Sequence, residues 1–263
     1  MECLKKICFL VPYHFSAKMG GAEYQIKLVL EELSKNRRFQ IYYLCRKVAP
    51  NFSSKSYNII KVGADKGYRR FGYYFDARNV YRALREISPD IVYQNVACAY
   101  TGIAAFYAKK FGAKIIWHIA SDNDLKLIAR LNIKHRIRDF IERLFINYGI
   151  KNADIIAGQT EYQNDLLEKY FNRRCNVFIP IGHAKPTNKI KKSETIKILW
   201  IANLKPLKQP ELFVRLAKKV VSNRDNDVSF IMIGRCEKDE WSLKVVDMIN
   251  NVPGKICKDI HLF

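Results

Sequence analysis

The sequence predicts an α/β protein: one complete, doubly wound Rossmann-like unit followed by a second unit of the same kind that is incomplete. Three observations predict it. Short apolar runs alternate with stretches of helical period, the pattern of a mostly parallel sheet covered by helices on both faces. Residues 184–197, AKPTNKIKKSETIK, interrupt that alternation with no apolar period, Pro186 and five lysines, as a connection between domains does. The alternation then resumes, with only 46 residues following Ala217. The expected division is therefore 1–184 for the first domain, 185–197 for a linker and 198–263 for a partial second domain.

Taken in order, the first strand is Lys6–Val11, ended by Pro12 and too short to be the apolar part of a signal peptide. Further strands are expected at Gln40–Cys45, Asn58–Val62, Ile91–Tyr93, Lys114–His118, Ile155–Gly158 and Val177–Ile179. Helical period places helices between them at Ala22–Ser34, Phe75–Ile87, Thr101–Lys110, Ile133–Tyr148 and Glu161–Tyr170. After the linker come strand Ile198–Ala202, helix Gln209–Val221, strand Ser229–Ile233 and helix Asp239–Ile249. The apolar end Ile260–Phe263 reads as a third strand. A parallel sheet of three strands would leave an edge and faces uncovered.

Composition narrows the partners. The 263 residues are 49% apolar, enough for a sizeable core and against disorder. With 46 Lys and Arg against 25 Asp and Glu, the net charge is +21, which favours polyanions: phosphorylated small molecules, an anionic membrane surface or nucleic acid. No nucleic-acid motif appears and the aromatic residues are not grouped for base stacking, so nucleic acid is not expected. The seven cysteines make no CxxC pair and no metal spacing, so no metal is expected and a reducing cytoplasmic setting fits. No apolar run reaches the roughly 18 residues of a membrane span. The expected location is cytoplasmic, including the inner face of a membrane.

Candidate chemistry sits where strands end. Gly20-Gly21 opens the first helix, where backbone N–H groups and the helix dipole favour an anion such as a diphosphate. A tight turn needing positive φ is the alternative reading. His118 closes an apolar strand, at the edge where open α/β sheets bind ligands, and histidine exchanges protons near neutral pH. A purely structural histidine is the alternative. Asn203, Lys205 and Lys208 occupy the equivalent edge of the second unit, between Pro206 and Pro210 or just before them. A lysine near a helix start opposes the dipole unless a phosphate lies between. Between Lys126 and Lys151 lie seven basic and two acidic residues, with Ile137, Phe140, Ile141, Leu144, Phe145 and Tyr148 in helical period. That helix reads either as docking on anionic lipid or as packing its apolar side on the sheet.

In this order on a two-unit chain, these features resemble the GT-B glycosyltransferases of the large retaining group called family 4, or group 1. The most specific part is ILWIANLKPLKQPELFVRLAKKV, from Ile198, which is similar to the first strand, loop and helix of their nucleotide-sugar domain. ADIIAGQTE from Ala153 is similar to the segment closing their first domain, and Ile179-Pro180-Ile181-Gly182 to the crossing between domains. The resemblance implies a hexosyltransferase-type enzyme that takes a sugar from a nucleotide sugar to a glycan or lipid-linked acceptor, with retention and without a metal. It implies diphosphate contacts from Gly20, Gly21, Asn203 and Lys208, with His118 as the catalytic residue beside the transferred sugar. Glu23, Ser121 and Asp122 are the acceptor-side candidates.

Two departures accompany the resemblance. Asn203 stands where the family places an arginine, and lysine at 205 lacks arginine's bidentate fork. The family's later segment, with two glutamates eight positions apart, is expected after residue 263, so the activity of the chain as it stands is an open expectation. The competing reading is a non-catalytic acceptor-binding subunit whose second domain is completed by a partner chain.

Overall fold

The computed structural model describes residues 4–63, 72–126, 136–183, 185, 196–223, 228–236, 239–251 and 256–257. The chain divides into two compact units, 1–184 and 185–263. In the first, seven parallel strands take the order β3-β2-β1-β4-β5-β6-β7: Lys5–Leu10 (β1), Phe39–Cys45 (β2), Asn58–Lys61 (β3), Ile91–Asn95 (β4), Lys114–His118 (β5), Ile155–Gly158 (β6) and Val177–Phe178 (β7). The chain winds outward from β1 to β3, then crosses back to β4. The order therefore reverses between β1 and β4, which opens a crevice outside their carboxyl ends.

Side chains alternate between the two faces of the sheet, and each face has its own core. Ile7, Phe9, Ile41, Tyr43 and Tyr93 pack with Ile26 and Leu30 of helix α1 (Gly21–Leu33). Cys8, Leu10, Leu44, Val92, Ile115 and Trp117 pack with α2 (Ala77–Ile87), α3 (Ala99–Phe111) and α5 (Arg136–Asn152). Short α4 (Asp122–Lys126), which the sequence reading did not anticipate, and α6 (Glu161–Phe171) complete the unit. The helix expected from Phe75 begins instead as a 3₁₀ turn, Tyr73–Asp76, before α2. The expected start at Ile133 lies outside the described residues.

Helix α3 is buried from Ala99 to Ala105, where α5 lies across it at backbone distance. A Cβ on Gly102 would come within 2.4 Å of the Phe145 carbonyl oxygen, and one on Gly149 within 2.5 Å of the Thr101 carbonyl carbon. Glu142 of α5 accepts from Ala99 N–H at 2.7 Å and from Tyr73 N–H at 3.0 Å, satisfying donors at the start of α3 and of the 3₁₀ turn. Beside it, Arg46 and Asp76 form a buried ion pair at 2.7 Å, with the Tyr100 hydroxyl donating to the same carboxylate. These contacts fix the carboxyl edge of the sheet, where the candidate site lies.

The second unit has three parallel strands in the order β10-β9-β8: Ile196–Ile201 (β8), Val228–Ile233 (β9) and Ile256–Cys257 (β10). Helices α7 (Pro210–Asn223) and α8 (Glu240–Asn250) supply Val214, Ala217, Val245 and Ile249 to a core around Phe230 and Met232. Leu199 and Ile201, which share one face of β8, stay exposed. Most of the expected linker, and the strand expected at 260–263, lie outside the described residues. Ile196 and Lys197, assigned to the linker, belong to β8.

Candidate functional site

His118 is the last residue of β5 and is 3% exposed. Its register partner at the end of β4 is Asn95, whose Nδ2 donates to the His118 carbonyl at 3.1 Å. Tyr93, on the same face two residues earlier, places its hydroxyl 2.5 Å from His118 Nδ1. Burial lowers the imidazole pKa and raises that of the phenol, so the ring is neutral and the phenol protonated. With the phenol O–H donating to Nδ1, the imidazole carries its proton on Nε2; with Nδ1–H donating to the phenol oxygen, Nε2 is a bare acceptor. That Nε2 is buried without a partner, and so is the Oδ1 of Asn95. Buried polar atoms are rarely left unpaired. The two atoms stand at the ends of adjacent strands, and Trp117 Nε1 and Asn147 Oδ1 are likewise without a partner among the described residues.

His14 shows the contrast. It is fully buried in the loop after β1, but both ring nitrogens are engaged, Nδ1 with Ser16 Oγ at 2.7 Å and Nε2 with Tyr57 Oη at 3.0 Å. His14 holds the loop, whereas His118 keeps one nitrogen in reserve.

Gly20 and Gly21 lie at the carboxyl edge of β1, two strand positions from β5, about 10 Å across the sheet. The positive-φ reading of this pair is corrected: Gly20 is extended at φ −138°, Gly21 is helical, and Gly112 is the described glycine with positive φ. A Cβ on Gly21 would meet nothing within 4 Å. The chain's own packing does not require glycine there, so the space is open to a ligand approaching the backbone. No side chain caps the helix, and its first internal bond runs from Tyr24 N–H to the Gly20 carbonyl. Glu23 lies in this first turn, half-buried.

The loop after β5 is held by buried Asp124, whose Oδ2 accepts from Ala120 N–H at 2.9 Å and Ser121 N–H at 3.1 Å. Ser121 is exposed beside His118. Asp122 accepts from Gln163 Nε2 at 3.1 Å, so one of its oxygens serves the scaffold. At the end of β4, Val96 has φ +74°, a conformation rare for a β-branched residue. Gln94 Nε2 donates to its carbonyl at 2.6 Å and keeps it there.

In the second unit, Asn203, Lys205 and Lys208 are exposed in the loop after β8. Lys208 ends a 3₁₀ turn, Pro206–Lys208, just before α7. Gly234, after β9, lets the two strand ends close up: a Cβ there would fall 1.8 Å from the Ala202 carbonyl oxygen. Leu204 N–H then donates to the Arg235 carbonyl at 2.9 Å, which brings Arg235 to the Asn203 loop. Sequence reading missed Arg235, because its nearness depends on the β8–β9 pairing. Each unit thus gathers its own candidates at the carboxyl edge of its own sheet. Among the described residues no cluster of His, Cys, Asp and Glu is suited to a metal.

No protein-family model matches the sequence, and no curated protein matches it. Solved structures do. WaaG, a glycosyltransferase involved in lipopolysaccharide biosynthesis, aligns at a TM-score of 0.66 and 13% identity, over 98% of this chain and 69% of its own. A glycosyltransferase from Rickettsia africae gives 0.64 and 14%, over 98% of this chain and 68% of its own. The lipopolysaccharide outer core galactosyltransferase WaaB gives 0.55 and 13%, over 93% of this chain and 65% of its own. UDP-N-acetylglucosamine 2-epimerases also match, including one from Listeria monocytogenes at 0.51 and 13%, over 100% and 69%. At these identities the likeness establishes the fold: Rossmann-like α/β units of the GT-B type, in a chain spanning about two thirds of the structures it matches.

Proposed function

We propose that this chain is a glycosyltransferase that moves a sugar from a nucleotide donor to a lipid-linked or surface-polysaccharide precursor, with retention at the anomeric carbon, at the inner face of a membrane. The observation that carries this reading is the pair of unpartnered buried atoms, His118 Nε2 and Asn95 Oδ1, at the sheet edge that also holds uncapped Gly20-Gly21. In this reading the imidazole N–H and the amide oxygen hold a hydroxyl of the transferred sugar. The N–H groups of Gly21 and its neighbours face the diphosphate. Breaking the bond from the sugar to the diphosphate leaves negative charge on the departing group, and in the second unit Asn203 and Lys208 are the residues the resemblance assigns to that charge. Fixed donors and cations of this kind stabilise developing charge far better in a closed site than in water. Glu23 and Ser121 serve the acceptor side. No metal enters this scheme. The neighbours support the substrate class: WaaB is a galactosyltransferase of lipopolysaccharide, and an S. aureus MnaA structure contains UDP.

The test is transfer of labelled sugar from a panel of nucleotide sugars to lipid-linked acceptors, with His118→Ala and Lys208→Ala beside the parent. The expected result is loss of about a hundredfold or more in each variant, the scale of removing one such stabilising group. Turnover near the parental rate in both would remove these roles.

A further inference from the structure

Helix α5 carries two apolar faces. Ile146 and Ile150, which the sequence reading did not single out, are buried against the core in place of the stripe it expected to pack there. A second stripe, Ile137, Phe140, Leu144 and Tyr148, spaced three, four and four residues apart, is exposed at 79, 58, 53 and 37%. It borders an open apolar cavity of about 490 Å³ between α2, α3 and α5, lined by Tyr81, Ile103, Phe106, Leu144, Phe145 and Tyr148. Exposed Phe106 and Phe111 extend the surface, each within 6.2 Å of Tyr81 ring to ring. A contiguous apolar surface of this kind marks an interaction site.

The charge around it indicates the partner. The three helices carry nine Lys and Arg against three Asp and Glu. One of those acids, Glu142, is turned inward to cap α3, and Asp139 and Glu86 pair with Arg138 and Arg82. The basic groups reach the apolar residues themselves: Arg78 lines the cavity, and Arg85 and Lys110 stand 6.0 and 5.9 Å from the Phe111 ring. Apolar side chains ringed by cations are complementary to the acyl and headgroup layers of an anionic bilayer. Among the described residues no helix is long and apolar enough to cross a membrane, so contact of this kind is interfacial.

We infer that the α2–α3–α5 face docks on an anionic lipid surface, with the α5 stripe in the acyl boundary, an acyl chain in the cavity and the surrounding Lys and Arg on the headgroups. Phe140 lies within a turn of Glu142, which caps α3 where the chain leaves the carboxyl end of β4. Docking therefore places the lipid boundary beside the sheet edge that carries Asn95 and His118. This names the surface that serves the membrane location proposed above. Its test needs neither donor nor acceptor, so the two readings fail separately.

The experiment is co-sedimentation of the full chain with phosphatidylcholine vesicles, pure or containing about one third phosphatidylglycerol, at physiological salt. The expected result is binding to the anionic vesicles and not to the neutral ones. The pair Phe140→Ser and Leu144→Ser should weaken partition at least about tenfold, given the worth of two half-exposed apolar side chains. The pair Arg85→Glu and Lys110→Glu should weaken it about thirtyfold or more. All four positions are exposed, and unchanged circular dichroism and unfolding midpoints verify the fold. Equal binding to neutral vesicles, no binding to either kind, or either folded pair binding like the parent would overturn the proposal. So would a dimer that the Phe140/Leu144 pair converts to monomer, which would make this face an interface between copies.

Discussion

Replacing Tyr93 with phenylalanine isolates the contact on which the His118 geometry depends. The ring stays, with its packing on Phe9 at 4.9 Å between centroids, and only the hydroxyl 2.5 Å from His118 Nδ1 is lost. Because His118 is 3% exposed, water does not replace the missing hydroxyl, and Nδ1 loses its partner beside an Nε2 that already lacks one. An unsatisfied buried polar group costs about 1–3 kcal/mol. We expect a loss near 2 kcal/mol in urea unfolding with unchanged m, or a midpoint lower by about 4–8 °C for a unit of this size. The same substitution removes what fixes the tautomer. Nitrogen-15 NMR should show His118 protonated on Nε2 in the parent and as a mixture of tautomers in the variant, with sugar transfer falling in step. A variant within about 0.3 kcal/mol of the parent that keeps a single Nε2–H tautomer would show that the phenol does not orient the ring.

Three other outcomes follow from the structure. Gly102→Ala forces a methyl group against the Phe145 backbone and should destabilise the first unit by about 1–3 kcal/mol in denaturant unfolding. Gly21→Ala, whose Cβ meets nothing within 4 Å, should leave the unfolding midpoint nearly unchanged while weakening nucleoside diphosphate binding in calorimetry. Burial lowers His14 from 6.5 to about 4, so its contribution is whole above pH 6.5 and falls as the pH drops toward 4 because the unfolded chain takes up the proton first. By pH 5 this costs about 2 kcal/mol, and pH-dependent unfolding of His14→Gln should lack that part of the slope.

The sheet of the first unit was legible because its central parallel strands carry short apolar runs packed into the core, such as Ile7–Leu10 and Ile115–Trp117. Lys114–His118 and Ile155–Gly158 have the boundaries read from sequence, and His118 stands at the strand end where it was placed. Contacts that depend on strand order were not legible. Tyr93 and His118 are 25 residues apart and meet only because β4 and β5 are neighbours in register. Arg235 reaches the Asn203 loop for the same reason. Helical period marked Ile137, Phe140, Ile141, Leu144, Phe145 and Tyr148 of α5 but passed over Ile146 and Ile150, which take its core face. The close crossing at Gly102 and Gly149 was also hidden, since a glycine within a helical pattern shows no partner in the sequence. Gly20-Gly21 was read correctly as a helix start, but the alternative based on positive φ does not hold, because the backbone there is extended and then helical.

The most direct measurement of the central claim is proton NMR of the chain incubated with nucleotide sugars and a lipid-linked acceptor, following the anomeric signals. One donor should be consumed and a glycosidic signal of the donor's anomeric configuration should appear on the acceptor, both changes being abolished by His118→Ala. A donor converted to its C2 epimer with no glycoside formed, or a glycoside formed equally well without His118, would contradict the claim.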